Sequence, residues 1–254
     1  MDVTAYLDRI GVAAPASADL ERLRTLHRAH QETVPFENLS IHLGERVSLT
    51  PDDLFDKIVR RRRGGFCYEL NGAFALLLEA LGYAVTRAAA KVYGGERFGP
   101  PFDHMALLVS TADGDGPWLA DVGFGRHSTY PLRFADTEQR DPAGRYTMAP
   151  TAEGDLDVIL DGKPQYRVEP RPRALTDFAP TCWWQQTSPD SHFTRSTICS
   201  RLAGDRDRIS ISGRTLIRTD AGARVETPLT TDEALLTAYR EHFGVVLDHP
   251  PTIP

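Results

Sequence analysis

One cysteine in this chain stands where a nucleophile could be made. Cys67 follows Gly64, Gly65 and Phe66 and opens a run with helical apolar spacing, Leu70, Phe74, Leu77, Leu78 and Leu81, closed by Gly82. The thiolate is the reactive form of cysteine. The partial positive charge of a helix start, with a histidine beside it, lowers a thiol from about 8.5 into the range of about 3.5–7.5. The same start presents backbone amides to an oxyanion. The competing reading is a cysteine that only packs between helices, since free cysteine is among the most buried residue types.

A thiol nucleophile needs a base and a group that orients the base. His104 follows the Gly99-Pro100-Pro101 loop and heads the apolar run Met105-Ala106-Leu107-Leu108-Val109, so its ring could sit at a sheet edge and open toward a cleft. Asp121 follows Trp118-Leu119-Ala120. A carboxylate in an apolar strand is costly without a partner, and a histidine ring N–H is a suitable one. If the two strands are neighbours, the pair forms.

The other histidines carry less. His27 and His30 lie on a helix, His42 and His127 in polar loops, and His192, His242 and His249 in the tail, where solvated or capping roles are expected. Metal-ligand spacing with a third ligand is missing, so neither a metal nor a tightly bound cofactor is expected. Gly123-Phe124-Gly125 lacks both Gly-x-Gly-x-x-Gly and the Lys-Ser/Thr of a nucleotide loop. It reads first as a tight turn and only second as a phosphate cradle.

The elements that must position these groups fall into three stretches. Residues 1–82 show helical spacing, with Val3, Tyr6, Leu7 and Ile10, then Leu20, Leu23 and Leu26, then Leu54, Phe55, Ile58 and Val59. The third helix should start at Thr50-Pro51-Asp52-Asp53 and end at the arginines 60–63. Beyond Gly82 short strand-like runs follow, at 85–93, 105–109, 118–122, 156–160 and 165–168, with Asp161-Gly162 as a hairpin signal. They predict an antiparallel sheet or small barrel. The tail is mixed. Strands are expected at 197–202, 208–212 and 215–218, and a last helix has Thr230 and Glu233 as its capping box, with Leu235, Leu236, Tyr239 and Phe243 on one side and Gly244 at its end.

Composition narrows the partners. The chain has 254 residues, 41% hydrophobic and 25% charged, which suits an ordinary globular protein of two or three units. Its 29 basic and 35 acidic residues give a net charge of −6, which opposes nucleic acid or anionic membranes as partners. No apolar run reaches the roughly 18 residues of a membrane span, and the start lacks the pattern of a signal peptide, so a cytoplasmic location is expected. Three cysteines without a Cys-x-x-Cys pair suggest no disulfide scaffold, and Cys182 and Cys199 read as core.

At this point the residues match a known pattern. Arg63-Gly64-Gly65-Phe66-Cys67-Tyr68-Glu69-Leu70-Asn71 resembles the active-site signature of the arylamine N-acetyltransferases. Further blocks fall in that family's order: Val34-Pro35-Phe36-Glu37-Asn38-Leu39-Ser40, His104 before an apolar strand, Ala120-Asp121-Val122-Gly123-Phe124-Gly125, Thr187-Ser188-Pro189-Asp190-Ser191-His192-Phe193, and His242-Phe243-Gly244-Val245. The resemblance spans nearly the whole chain. It implies a Cys67–His104–Asp121 triad arranged as in cysteine proteases, within an α+β fold. The units would be an N-terminal helical bundle (1–83), a central antiparallel β-barrel (84–172) and a C-terminal linker helix with an α/β lid (173–254). It implies acetyl-CoA as co-substrate and an aromatic amine or hydrazine as acceptor, in a ping-pong cycle through a thioester on Cys67. Phe36, Tyr68, Val92, Phe124 and Phe193 resemble the acceptor-pocket positions, and Gly123, Gly125, Arg126 and Ser128 the donor-binding ones.

Two positions depart from the family pattern. Arg126 stands where glycine is common, and it either meets a coenzyme A phosphate or stays solvated. Asp103 replaces Thr or Ser before the histidine and adds a carboxylate beside the site. The same triad would also serve an amide synthase that releases a carrier-bound acyl chain onto an aromatic amine, or a thiol hydrolase. A non-enzymatic binder with a structural Cys67 is the remaining alternative. The oligomeric state, monomer or homodimer, is not legible.

Overall fold

A computed structural model describes residues 1–14, 16–114, 116–220 and 222–253. Helices α1 (Val3–Ile10) and α2 (Leu20–Thr33) open the chain, each capped by an aspartate side chain, Asp2 and Asp19. Strand β1 (Phe36–Glu37), the single turn α3 (Leu39–His42) and α4 (Pro51–Phe55) follow. Thr50 caps α4 as expected, accepting from the Asp53 amide at 3.3 Å. The helix does not run on regularly to the arginines: residues Asp56–Arg60 form a π-turn instead. Helix α5 (Cys67–Ala80) is buried along nearly its whole length, with Leu70, Phe74, Leu77 and Leu78 fully enclosed.

Eight antiparallel strands come next: β2 (Ala84–Val92), β3 (His104–Ser110), β4 (Trp118–Leu119), β5 (Leu132–Arg133), β6 (Thr137–Asp141), β7 (Gly144–Pro150), β8 (Leu156–Leu160) and β9 (Lys163–Pro172). Their order is β5-β4-β3-β2-β9-β8-β7-β6, a nearly closed barrel. The Gln139 side chain bridges the two edges, accepting from the Arg133 amide at 2.7 Å and donating to its carbonyl at 2.9 Å. That exchange satisfies edge groups that would otherwise lie open. Strand alternation then sorts β3: Ala106 and Leu108 fill the barrel with Tyr146, Met148 and Tyr166, while Leu107 and Val109 pack outward on α5 and its neighbours.

Beyond a 3₁₀ turn, α6 (Ala179–Thr187) and the short α7 (His192–Arg195) lead to β10 (Ile198–Leu202), β11 (Arg208–Ser212), β12 (Thr215–Asp220) and β13 (Ala223–Pro228), and α8 (Asp232–Phe243) covers one face. This second sheet has the order β1-β10-β11-β12-β13, so the early segment Phe36–Glu37 supplies its first strand.

Two expectations need correcting. The cap of α8 is Thr231, which accepts from the Ala234 amide at 3.1 Å, one residue after the Thr230 expected. Strand β4 stops at Leu119, short of residue 122. Strands β6, β7 and β13 carried no apolar signal strong enough to read. Thr137–Asp141 is entirely polar and Ala223–Pro228 is exposed throughout. Among the described residues, no helix is long and apolar enough to cross a membrane.

Candidate active site

Cys67 is the first residue of α5, and its place is set from both sides of the backbone. Gly64 passes the Pro35 carbonyl with no room for a Cβ, and the Gly65 carbonyl accepts from the Glu37 amide at 2.8 Å. On the helix side, Glu69 accepts from the Phe66 amide at 3.2 Å, a capping contact, and from Lys57 Nζ at 2.6 Å. Burial pushes the Glu69 carboxyl up, and the nearby Lys57 charge opposes this. The turn that presents the sulfur is therefore tied to the π-turn through an enclosed ion pair.

Strand pairing brings His104 and Asp121 together. Leu108 and Val109 of β3 face Leu119 and Trp118 of β4, and the Ala120 amide continues the ladder to Leu107 at 2.9 Å. The His104 Nε2 then lies 2.7 Å from Asp121 Oδ2, with both side chains almost fully enclosed. Asp121 accepts from three more donors: Tyr166 Oη at 2.9 Å on Oδ2, and Asn71 Nδ2 at 2.8 Å and the Gly123 amide at 3.0 Å on Oδ1. Burial favours the neutral acid. The His104 charge and hydrogen bond outweigh it, helped by His127 and Asn71, and hold Asp121 well below the usual carboxylate range. When the ring is neutral, an ionised Asp121 fixes its proton on His104 Nε2 and leaves Nδ1 with a lone pair.

The sulfur is enclosed, and this overturns one expectation. Burial pushes the Cys67 thiol well up, and Cys182, Asp103 and Asp121 push the same way. The Met105 backbone N–H, next in the chain to His104, favours the thiolate but does not reverse the shift. A helix start does not lower this thiol by itself, because desolvation outweighs the dipole. No hydrogen bond joins the sulfur to the His104 ring among the described residues. Cys182 and Cys199 are free and buried, in keeping with core packing.

The residues that resemble an acceptor pocket separate into groups. Phe36, Tyr68 and Phe193 gather about Cys67, with Phe66 against both Tyr68 and Phe193 at 5.2 Å between ring centroids. Tyr68 is fully buried, and its hydroxyl donates to the Phe102 carbonyl at 2.8 Å, so it steadies the loop ahead of His104. Phe124 meets the His104 ring edge-on at 5.2 Å. The Val92 amide donates to Asp103 Oδ2 at 3.3 Å, and Gln185 Nε2 donates to Asp103 Oδ1 at 2.8 Å.

Of the donor-binding positions, Gly123 is pressed against the start of α5, Gly125 sits on the Phe36 ring with φ +88°, and Arg126 is exposed in a cleft. Ser128 is fully buried. Its carbonyl accepts from Gln31 at 3.0 Å and its hydroxyl lies 3.0 Å from His127 Nδ1, so it serves the protein interior.

Three further participants were not legible as such. Asn71, one helical turn after Cys67, donates to the Met105 carbonyl at 2.6 Å as well as to Asp121, and accepts from the Val122 amide at 3.0 Å. Its spacing of four from the cysteine was the available signal. Tyr166 and His127 gave none. His127, His27 and His30 are buried rather than solvated, and burial lowers His127 to about 4 and His30 to about 3. The chain of donors runs one way: Ser128 Oγ to His127 Nδ1, His127 Nε2 to Tyr166 Oη at 3.0 Å, and Tyr166 Oη to Asp121.

A helix-borne thiol and a barrel-borne imidazole–carboxylate pair are the residue types that acyl transfer uses. The family model described as N-acetyltransferase matches residues 19–252. The arylamine N-acetyltransferase of Mycolicibacterium smegmatis is 33% identical over 97% of this chain and 93% of its own, and that of Escherichia coli 32% over 96% and 88%. The solved structure of the Mycobacterium marinum arylamine N-acetyltransferase superimposes with a TM-score of 0.87 at 33% identity, over 96% of this chain and 93% of that one; the same enzyme has also been solved in complex with CoA. The chain belongs to the arylamine N-acetyltransferase family. The α+β fold with its barrel is the family's, and the amide-synthase alternative finds no support in these relatives.

Proposed function

We propose that Cys67, His104 and Asp121 carry acetyl from acetyl-CoA to an aromatic amine or hydrazine. The observation that carries this is the His104–Asp121 pair, enclosed and fixed at 2.7 Å beside the turn that presents Cys67. A buried thiol with a raised pKa does not lose its proton to solvent. It can give it to a base at hand, forming a neutral ion pair whose imidazolium Asp121 stabilises.

In the first half-reaction the Cys67 proton passes to His104 Nδ1 as the sulfur attacks the acetyl carbonyl. The Cys67 amide, free of any partner within its helix, is suited to the oxyanion. Collapse of the tetrahedral adduct breaks the carbon–sulfur bond to coenzyme A, and the imidazolium returns the proton to the departing thiolate. In the second half the amine attacks the Cys67 thioester, His104 accepts a proton from nitrogen, and that proton returns to the Cys67 sulfur as the N-acetyl product leaves. Phe36, Phe124 and Phe193 offer flat apolar surface to an aromatic acceptor. The net charge of −6 and the three free cysteines suit a cytoplasmic enzyme acting on small molecules, not on nucleic acid or membranes.

Intact-mass spectrometry after mixing with acetyl-CoA tests this reading. One added acetyl on Cys67, removed on adding an arylamine and absent in Cys67→Ala, is the expected result. No adduct in the unaltered protein would overturn it.

A further inference from the structure

The second sheet ends on an open edge. Its first strand, β1, is bridged to Gly65, and the barrel's edges meet through Gln139, but among the described residues no strand pairs with the outer side of β13. All of β13 is exposed, and Val225 keeps 60% of its surface. An edge of this kind is a template for another strand. The pairing of β12 with β13 fixes which backbone groups point outward. The Leu229 amide donates to the Arg214 carbonyl at 2.8 Å, and these two residues continue the register in which Leu216 faces Thr227 and Arg218 faces Val225. Hydrogen-bonded pairs alternate along an antiparallel ladder, so Thr227 and Val225 turn their N–H and C=O groups toward β12. Arg224 and Glu226 turn theirs to solvent. Pro228 falls at the next outward position, where its missing N–H costs the sheet nothing.

Side chains alternate as well. Leu216 packs with the residues of α8, so Thr227 and Val225 stand on that side of the sheet, and Arg224 and Glu226 stand together on the other. A second copy that approaches antiparallel about a two-fold axis must set outward residues opposite outward residues. Arg224 against Arg224 opposes like charges. Glu226 against Glu226 does so too, and sets Pro228 where an N–H is needed. The register centred on Val225 instead places Arg224 opposite Glu226 of the second copy, twice by symmetry, each pair exchanging both backbone hydrogen bonds, with Val225 against Val225 between them. Charged edges often serve to repel other strands. Here the opposite charges, two residues apart, are self-complementary under the two-fold. Within one chain Arg224 Nη2 lies 2.7 Å from Glu226 Oε1, but both side chains are more than half exposed, so this pair contributes little and its partner can be exchanged.

We infer that β13 is an association edge and that its partner is a second copy of this chain, in the register centred on Val225. Two five-stranded sheets then join into one across the two-fold axis. The inference is independent of the acyl-transfer reading. A contact confined to one six-residue strand belongs to the weak class, below roughly 1,200 Å², so the dimer is reversible and forms as protein concentration rises.

Sedimentation equilibrium of the full chain should show an average mass that climbs from one chain toward two with concentration. Arg224→Glu and Glu226→Arg should each weaken association by about 10-fold or more, because like charges then stand opposite. An equal mixture of the two variants should associate again, since each offers the charges the other lacks. Circular dichroism shows that both remain folded. Cross-linking supplies a second readout of the register. Val225→Cys would face itself across a non-hydrogen-bonded pair, whose Cα atoms lie about 4.5 Å apart and within disulfide reach, whereas Thr227→Cys would face Ala223. Diamide, which takes up the two electrons and two protons of the paired thiols, should therefore give a covalent dimer of Val225→Cys and little of Thr227→Cys. A chain that stays monomeric at every concentration, a dimer untouched by both charge variants, a mixture no stronger than its components, or equal cross-linking at the two positions would overturn the inference.

Discussion

Gly123 lies so close to the first residue of α5 that a Cβ built on it would stand 2.8 Å from the Cys67 Cα. The same added atom would meet the Cys67 carbonyl oxygen at 3.0 Å and Asn71 Nδ2 at 2.8 Å. The loop carrying Asp121 is thus docked on the backbone of the nucleophile, and the separation of acid and thiol is set by the absence of one methyl group.

Gly123→Ala is therefore expected to force the loop off α5. Overpacking of this kind costs about 1–3 kcal/mol. The urea midpoint should drop accordingly, and Cys67 acetylation should slow by more than the stability change explains. A variant of undiminished stability and labelling rate would show that the loop yields freely.

Asp121→Asn exchanges an acceptor for a donor in a site where four donors converge. The amide N–H₂ must face either His104 and Tyr166 or Asn71 and the Gly123 amide, and the imidazole loses the charge that supports its protonated form. Acetylation of Cys67 should fall by about 10³- to 10⁴-fold. Single-turnover labelling measures this, with circular dichroism to show that the chain remains folded.

Removing the Tyr166 hydroxyl acts at one step's distance from the chemistry. Tyr166→Phe takes one donor from Asp121 and leaves His127 Nε2 without an acceptor in a buried site. A loss of about 1–3 kcal/mol in stability is expected from the unsatisfied imidazole. Replacing His127 by Phe in the same background removes the orphaned group, and a double-mutant cycle should then return a coupling above about 0.5 kcal/mol. Strict additivity would dissolve the proposed chain.

The pH dependence of stability follows from the buried neutral histidines. Burial lowers His30 to about 3 and His127 to about 4, against about 6.5 in an unfolded chain. Below 6.5 the unfolded state binds protons that the folded state refuses, so their contribution is present above that pH and lost as pH falls toward the folded values. Unfolding free energy should decline between pH 6.5 and about 4 with a slope of up to about 1.4 kcal/mol per unit for each histidine. Asp121, held low, adds the same sign only below about 3.9. Urea midpoints at pH 8, 6, 5 and 4 measure the slope, and a flat profile would rule out neutral buried imidazoles.

What the residues decided by themselves was local. Thr50 and Gly244 mark helix ends because capping depends on the nearest three or four residues, and the run after Cys67 reads as a helix because its apolar period is 3.6. The nucleophile, the histidine and the aspartate could be named from their types, from the helix and strand signals beside them and from the family pattern they share. Tertiary structure decided the rest. Tyr166 reaches Asp121 across 45 residues only because β4, β3, β2 and β9 lie side by side in one curled sheet, and His127, in what reads as a polar loop, is buried against the same group. Desolvation is a property of the assembled interior, so the raised thiol of Cys67 and the lowered imidazole of His127 exist only once distant strands have been packed around them.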